Sequence, residues 1–256
     1  YKMQKTFALS LTVNPEKQAA IEIERLLKFP GFLKRDSFAK GRVEIVELRV
    51  DERSRLCNVA LSELNRVIKC RVLVCAVLRR GDVVAPDGSF VLREGDRIFV
   101  TASTESLATL LDNLGIITKK VNHVMICGGG RVSYYLAQQL EKDGMTVRLI
   151  EKDPKHCEEL AALLPKTEII NDDASNTFVL KRENIESCDA LVTATGMDEL
   201  NMIISLYGTK HGVSQVITKL GHMENGSMID QLPIGSTIWP KDLCCNGIVR
   251  YIRAMH

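Results

Sequence analysis

Gly128, Gly130 and Ser133 stand at the positions of a G-x-G-x-x-G loop. The loop lies between an apolar run, HVMIC (123–127), and a stretch with apolar residues at 132, 136, 137 and 140. The first glycine of such a loop permits a tight turn, and the second lets backbone approach a pyrophosphate. The helix that follows offers an anion its unpaired N–H groups and the positive end of its dipole. Gly129, Arg131 and Val132 complete the loop. Ser133 replaces the third glycine but is small enough to keep most of the helix–strand packing that position serves. Arg131 reads equally as a phosphate partner or as a surface arginine.

Two spacings extend the pattern. Glu151 follows the next apolar run, TVRLI (146–150), at the distance where an acid reaches the hydroxyls of an adenosine ribose. A carboxylate there repels a 2′-phosphate, which favours NAD(H) or ATP/ADP over NADP; Lys152 beside it leaves that discrimination open. Asp173 closes a third strand in NDDAS, and Thr195-Gly196 closes a fourth. Both lie at the C-terminal strand edge, where ligands of open α/β sheets sit. The plain alternative is a glycine-rich turn beside solvated acids in a domain that binds nothing.

The elements needed to hold these residues are legible. From His123 onward, short apolar runs alternate with helical patterns: strands at 168–170, 189–194, 215–220 and 236–239, and a last helix over 241–253. Asp153-Pro154 supplies a cap and a first-turn proline. This alternation predicts an α/β fold, a Rossmann-like doubly wound parallel sheet covered on both faces. Earlier, RVEIVELRV (42–50) alternates apolar and charged residues as a half-buried strand does. Strands at 70–80 and 97–102, a helix capped by Asn58, a turn at 86–88 and a helix over 104–114 make a small α+β module. Domains are therefore expected at 38–119 and 122–256, with a linker over 115–122.

Composition sets limits. The 256 residues carry 34 Lys and Arg against 32 Asp and Glu, a net charge of +2, and 45% are hydrophobic. That balance disfavours a strongly basic nucleic-acid binder, and 5% aromatic content disfavours a base-stacking surface. The longest apolar run, Val72 to Leu78, is far short of the ~20 residues of a membrane span. Eight cysteines without a CxxC read as buried free thiols in a reducing compartment. Tyr1 in place of Met suggests an excised piece, and the first residues lack the cleavage site of a signal peptide. The five histidines fall in no evident catalytic motif, His222 beside Glu224 being the best candidate though a loop histidine is more often just solvated, and no metal-ligand spacing occurs. No catalytic or metal residue is expected, so the site reads as a sensor of a nucleotide.

FALSLTVNPEKQAAIEIERLL also resembles GSTIWPKDLCCNGIVRYI when Pro15 is placed on Pro240. Such strand–Pro–helix units are common enough to match by chance. The other reading is an internal repeat, with 1–30 the last strand and helix of a preceding Rossmann-like lobe.

HVMICGGGRVSYYLAQQLEKDGMTVRLIEKDPKHCEELAALLPKTEIINDDASN resembles the nucleotide-binding lobe of the RCK (KTN) domain family, the TrkA-type subunits of bacterial potassium uptake. The matching motifs are Gly128 to Ser133, Glu151-Lys152-Asp153, and Asp172 to Ser175, with Asp198, Glu199 and Asn201 in a later match. Ser133 and Asp172 depart from the family's glycines. LCNVALSEL and PDGSFVLREGDRIFV are similar to the family's C-terminal lobe. The resemblance implies a cytoplasmic regulatory subunit at the inner face of the membrane that gates a TrkH/TrkG-type potassium channel in response to NAD(H) or ATP/ADP. It also implies homo-oligomers, dimers or tetrameric rings, paired through helices 15–29 and 241–253. An NAD-dependent oxidoreductase fragment and a methyltransferase using S-adenosylmethionine are the competing readings.

Overall fold

The structure, a computed structural model, describes residues 12–28, 34–38, 43–51, 54–114, 120–221, 229 and 232–254. The N-terminal strand expected in FALSLTV, the 115–119 part of the linker and His222 lie outside them. The chain forms two compact units, divided near residues 28 and 120.

One unit contains helix α1 (Pro15–Lys28) and everything from Val121 onward. Its sheet is built from β6 (His123–Cys127), β7 (Thr146–Glu151), β8 (Thr167–Asn171), β9 (Ala190–Thr193), β10 (Gln215–Lys219) and β11 (Ser236–Ile238). The six strands are ordered β11-β10-β9-β6-β7-β8 and every pairing is parallel. The order reverses direction between β6 and β9, so their C-terminal ends leave a crevice. Helices α4 (Arg131–Lys142), α5 (Pro154–Leu163), α6 (Thr177–Arg182), α7 (Asp198–Lys210) and α8 (Pro240–Ala254) connect or follow the strands. The central strands β6 and β9 are buried on both faces, which is why they read as apolar runs without polar alternation. On β6, Val124 and Ile126 join one core with Leu136 and Leu140 of α4, while Met125 and Cys127 join the other with Leu191 and Ile204.

Helix α1 carries Ala19, Ala20, Ile23 and Leu27 fully buried in the first of these cores. Gln215 Nε2 donates to its Leu26 carbonyl at 2.7 Å. The segment read from sequence as the end of a preceding lobe thus packs on this one, because its apolar stripe needs cover and this sheet face supplies it. Like α8, it begins with proline at its first helical position.

The other unit is an antiparallel sheet ordered β1-β2-β5-β3-β4. Its strands are β1 (Lys34–Phe38), β2 (Val43–Arg49), β3 (Leu73–Arg79), β4 (Asp82–Val84) and β5 (Arg97–Ala102). A 3₁₀ turn (Leu61–Glu63), helix α2 (Leu64–Ile68) and helix α3 (Thr104–Asn113) complete it. Alternate residues Val46, Leu48, Ile98 and Val100 bury with Leu107 and Leu110 of α3. Asp96, 1% exposed, accepts two 2.7 Å bonds from Arg79 and one from the Arg93 N–H. Asn58 is not the expected helix cap: it takes a positive φ of 63°, while Ala60 caps the 3₁₀ turn and Glu63 caps α2, neither with a side-chain bond. The cysteines are all free, but Cys75 and Cys245 are exposed, so the expectation of uniformly buried thiols is corrected.

Candidate functional site

The turn after β6 is forced by packing. Gly128 takes φ +98°, donates to the Ile150 carbonyl at the end of β7, and lies so near β9 that a Cβ would stand 2.9 Å from the Ala194 oxygen and the Thr195 nitrogen. Only glycine combines that torsion with that approach. The Gly129 N–H donates to Glu151 Oε2 at 2.7 Å, and its carbonyl lies 2.8 Å from His156 Nε2. Gly130 caps α4 with φ −63° and ψ 178°, and the side where a Cβ would stand is open. The first-turn amides of α4 have no intrahelical acceptor, so they and the helix dipole face the crevice mouth.

Ser133 is fully buried, as the tight helix–strand contact requires, and its hydroxyl has no hydrogen-bond partner. The substitution therefore preserves the packing and leaves a buried polar group unsatisfied.

Glu151 is held from two sides: Oε2 by Gly129 and Oε1 by the Asp153 N–H at 2.9 Å. Asp153 caps α5 by accepting from the amides of Lys155 and His156, with Pro154 first in the helix as expected. The carboxylate oxygens keep lone pairs beyond these bonds and can accept from ribose hydroxyls. Asp172 and Asp173 lie just past β8, which ends at Asn171 rather than at Asp173. The Asp173 N–H and then the Arg182 guanidinium hold the Asp172 carboxyl below the usual carboxylate range; Ser175 does the same for Asp173. His156 is pushed above its ordinary value, first by its bond to the Gly129 carbonyl and then by the Glu159 carboxylate.

On the other side of the strand crossing, fully buried Asn201 laces β9 to β10. Its Oδ1 accepts from the Thr195 N–H and hydroxyl, and its Nδ2 donates to the Lys219 carbonyl at 2.9 Å. Lys219 Nζ donates to the Thr195 carbonyl at 2.7 Å, and burial pushes its amine pKa down, partly offset by Asp198. Asp198 itself accepts from the Gly221 N–H. Met197, Leu200 and Ile203 give this half an apolar wall.

Together these groups enclose a crevice of about 810 Å³, within the ~300–1,000 Å³ of small-molecule sites. All twelve residues singled out from sequence line it: Gly128, Gly129, Gly130, Arg131, Val132, Glu151, Lys152, Asp172, Asp173, Ala174, Thr195 and Gly196. Sequence reasoning missed Glu16, which reaches the rim from α1, and Lys219, the last residue of β10. His156 also lines the crevice, and no local motif marks it. No group of three or more potential metal ligands is gathered among the described residues.

The family model of the TrkA-N domain matches residues 124–240, and that of the TrkA-C domain matches 45–115. The chain is 31% identical over 244 residues to the Trk system potassium uptake protein TrkA of Haemophilus influenzae, covering 94% of this chain and 53% of that one. The chain carries the two domain types of the TrkA family, a TrkA-C and a TrkA-N domain. In it, a TrkA-C domain precedes the TrkA-N domain that carries the crevice, and the chain spans about half the length of the curated relatives it matches. The RCK domain of GsuK shares the fold, with a TM-score of 0.64 at 16% identity over 96% of this chain and 53% of that one. So does the GsuK channel bound to NAD, with a TM-score of 0.58 at 16% identity over 92% of this chain and 42% of that one. No described helix is long and apolar enough to cross a membrane.

Proposed function

We propose that the crevice binds an adenine dinucleotide, NAD(H), and that this TrkA-N domain is a non-enzymatic sensor regulating potassium flux through a TrkH-type channel subunit. The observation that carries the reading is the crevice's two-part construction across the switch point. One part holds the amides opening α4 and Glu151, suited to a diphosphate and the adenosine ribose. The other has an apolar wall and the Lys219 amine, suited to a flat ring bearing a polar substituent. A mononucleotide such as ADP fills only the first part.

The TrkA names of the relatives and the NAD carried by one fold neighbour support the reading. A ligand gates a partner only through unequal affinity for two arrangements of the protein. Glu151, bonded both to the loop and to the start of α5, is placed to transmit that difference. Calorimetric titration with NADH, NAD, ATP and ADP tests binding. Gly130→Asp should leave the fold intact, because its side chain enters open space, and should abolish binding by placing a carboxylate against the diphosphate. Absence of heat for every nucleotide, or an unchanged affinity in Gly130→Asp, refutes the reading.

A further inference from the structure

Glu16 belongs to α1, yet it lines the crevice of a loop far along the chain. Its Oε1 lies 3.6 Å from Arg131 Nη1, and Arg131 is the first residue of α4, at the end where an anion would rest. The two side chains are unequally held. The Arg131 side chain is 79% exposed and that of Glu16 30% exposed. Glu16 also sits on a helix fixed by the buried Ala19, Ala20, Ile23 and Leu27 and by the Gln215 bond. The arginine can swing toward a ligand; the carboxylate stays at the rim. Across the crevice lining, five carboxylates outnumber the three permanent cations, Arg131, Lys152 and Lys219.

We propose that Glu16 is a specificity-determining residue that lets the crevice accept a diphosphate-bridged dinucleotide and reject a nucleoside triphosphate. The inference rests on the nucleotide-binding reading above and deepens it. Each phosphate of a dinucleotide's diphosphate bridge carries about one negative charge, whereas a terminal phosphate carries close to two at neutral pH. A bridging diphosphate can draw Arg131 away from Glu16 with little added repulsion. A triphosphate extending past the α4 terminus brings its most charged group against a carboxylate that is less exposed than Arg131 and rooted on a packed helix.

The test is magnesium-free titration of wild type and Glu16→Gln with NADH and with ATP, alongside thermal midpoints. Glu16→Gln should tighten ATP binding about tenfold and NADH binding less than about threefold, with the difference shrinking in about 0.5 M salt. Arg131→Gln should move the ATP-to-NADH ratio the other way. Equal changes for both ligands, no change, or a ratio indifferent to salt overturns the inference while leaving the nucleotide site standing. If wild type binds neither ligand, both readings fall. A lost effect accompanied by a lowered thermal midpoint identifies a merely structural Glu16 and likewise overturns it.

Discussion

Gly128→Ala is the perturbation whose cost can be built most directly from geometry. A non-glycine residue forced into a sparsely populated positive-φ conformation costs about 1–3 kcal/mol, and Gly128 sits at φ +98°. The added Cβ would stand 2.9 Å from the Ala194 oxygen and from the Thr195 nitrogen and Cα. All three are backbone atoms, so no rotamer change relieves the clash, and overpacking adds about 1–3 kcal/mol. Relief requires the ends of β6 and β9 to part, straining the 2.9 Å bond from the Ala194 N–H to the Cys127 carbonyl. The sum, about 2–6 kcal/mol, is a large share of the ~5–15 kcal/mol that holds a typical domain folded. Urea unfolding of wild type, Gly128→Ala and Gly130→Ala provides the assay. Gly130→Ala should stay within about 1 kcal/mol of wild type, because φ is −63° there and nothing lies within 4 Å of its Cβ. A Gly128→Ala loss under about 0.5 kcal/mol, or equal losses in the two variants, would refute the reasoning.

Other expectations follow from single contacts. Ser133→Ala removes a buried hydroxyl that has no partner and should be neutral or stabilising by up to about 1 kcal/mol in the same assay. Asp96→Ala removes the buried carboxylate and leaves the half-buried Arg79 and the Arg93 N–H without their acceptor, which should cost about 1–3 kcal/mol. Burial pushes Asp96 up, but the Arg79 and Arg93 bonds outweigh it and hold the carboxyl below its ordinary value. Its contribution is therefore present above the unfolded pKa and lost as pH falls through the lower folded one, which acid titration of wild type against the variant would reveal. The raised pKa of His156 means that its clamp on Gly129 is fully present below the unfolded value and fades as pH rises through the folded one. An NMR titration placing His156 at or below the ordinary histidine value contradicts this. Lys219→Met should weaken NADH at least about tenfold while sparing ADP, since a hydrogen bond from a charged donor contributes about 1.5–3 kcal/mol; equal losses for both ligands would remove the lysine from the second half of the crevice.

What the sequence made legible follows from where the signals are local. The glycine loop, Glu151 and the Asp153-Pro154 cap are set by spacings within one strand–turn–helix unit, and all lie where those spacings put them. The central parallel strands stood out because burial on both faces leaves them no polar alternation. β1, reading KRDSF, and the three-residue β4 lacked any such pattern, and they become strands only through antiparallel neighbours. Asn58 looked like a helix cap from its type, but its left-handed backbone serves a turn, and the packing that imposes this is not written locally. Lys219 carries no local signal of its own; its place in the crevice depends on β9, β10 and Asn201 coming together. Glu16 was beyond reach of any spacing rule, since its partnership with Arg131 exists only because α1 packs on the distant sheet.

The most direct measurement is the crystal structure of the protein grown with NADH. The account predicts a diphosphate within hydrogen-bond distance of the amides opening α4, the adenosine ribose on Glu151, and the nicotinamide beside Lys219. An empty crevice in crystals saturated with NADH, or a dinucleotide bound elsewhere, would contradict it.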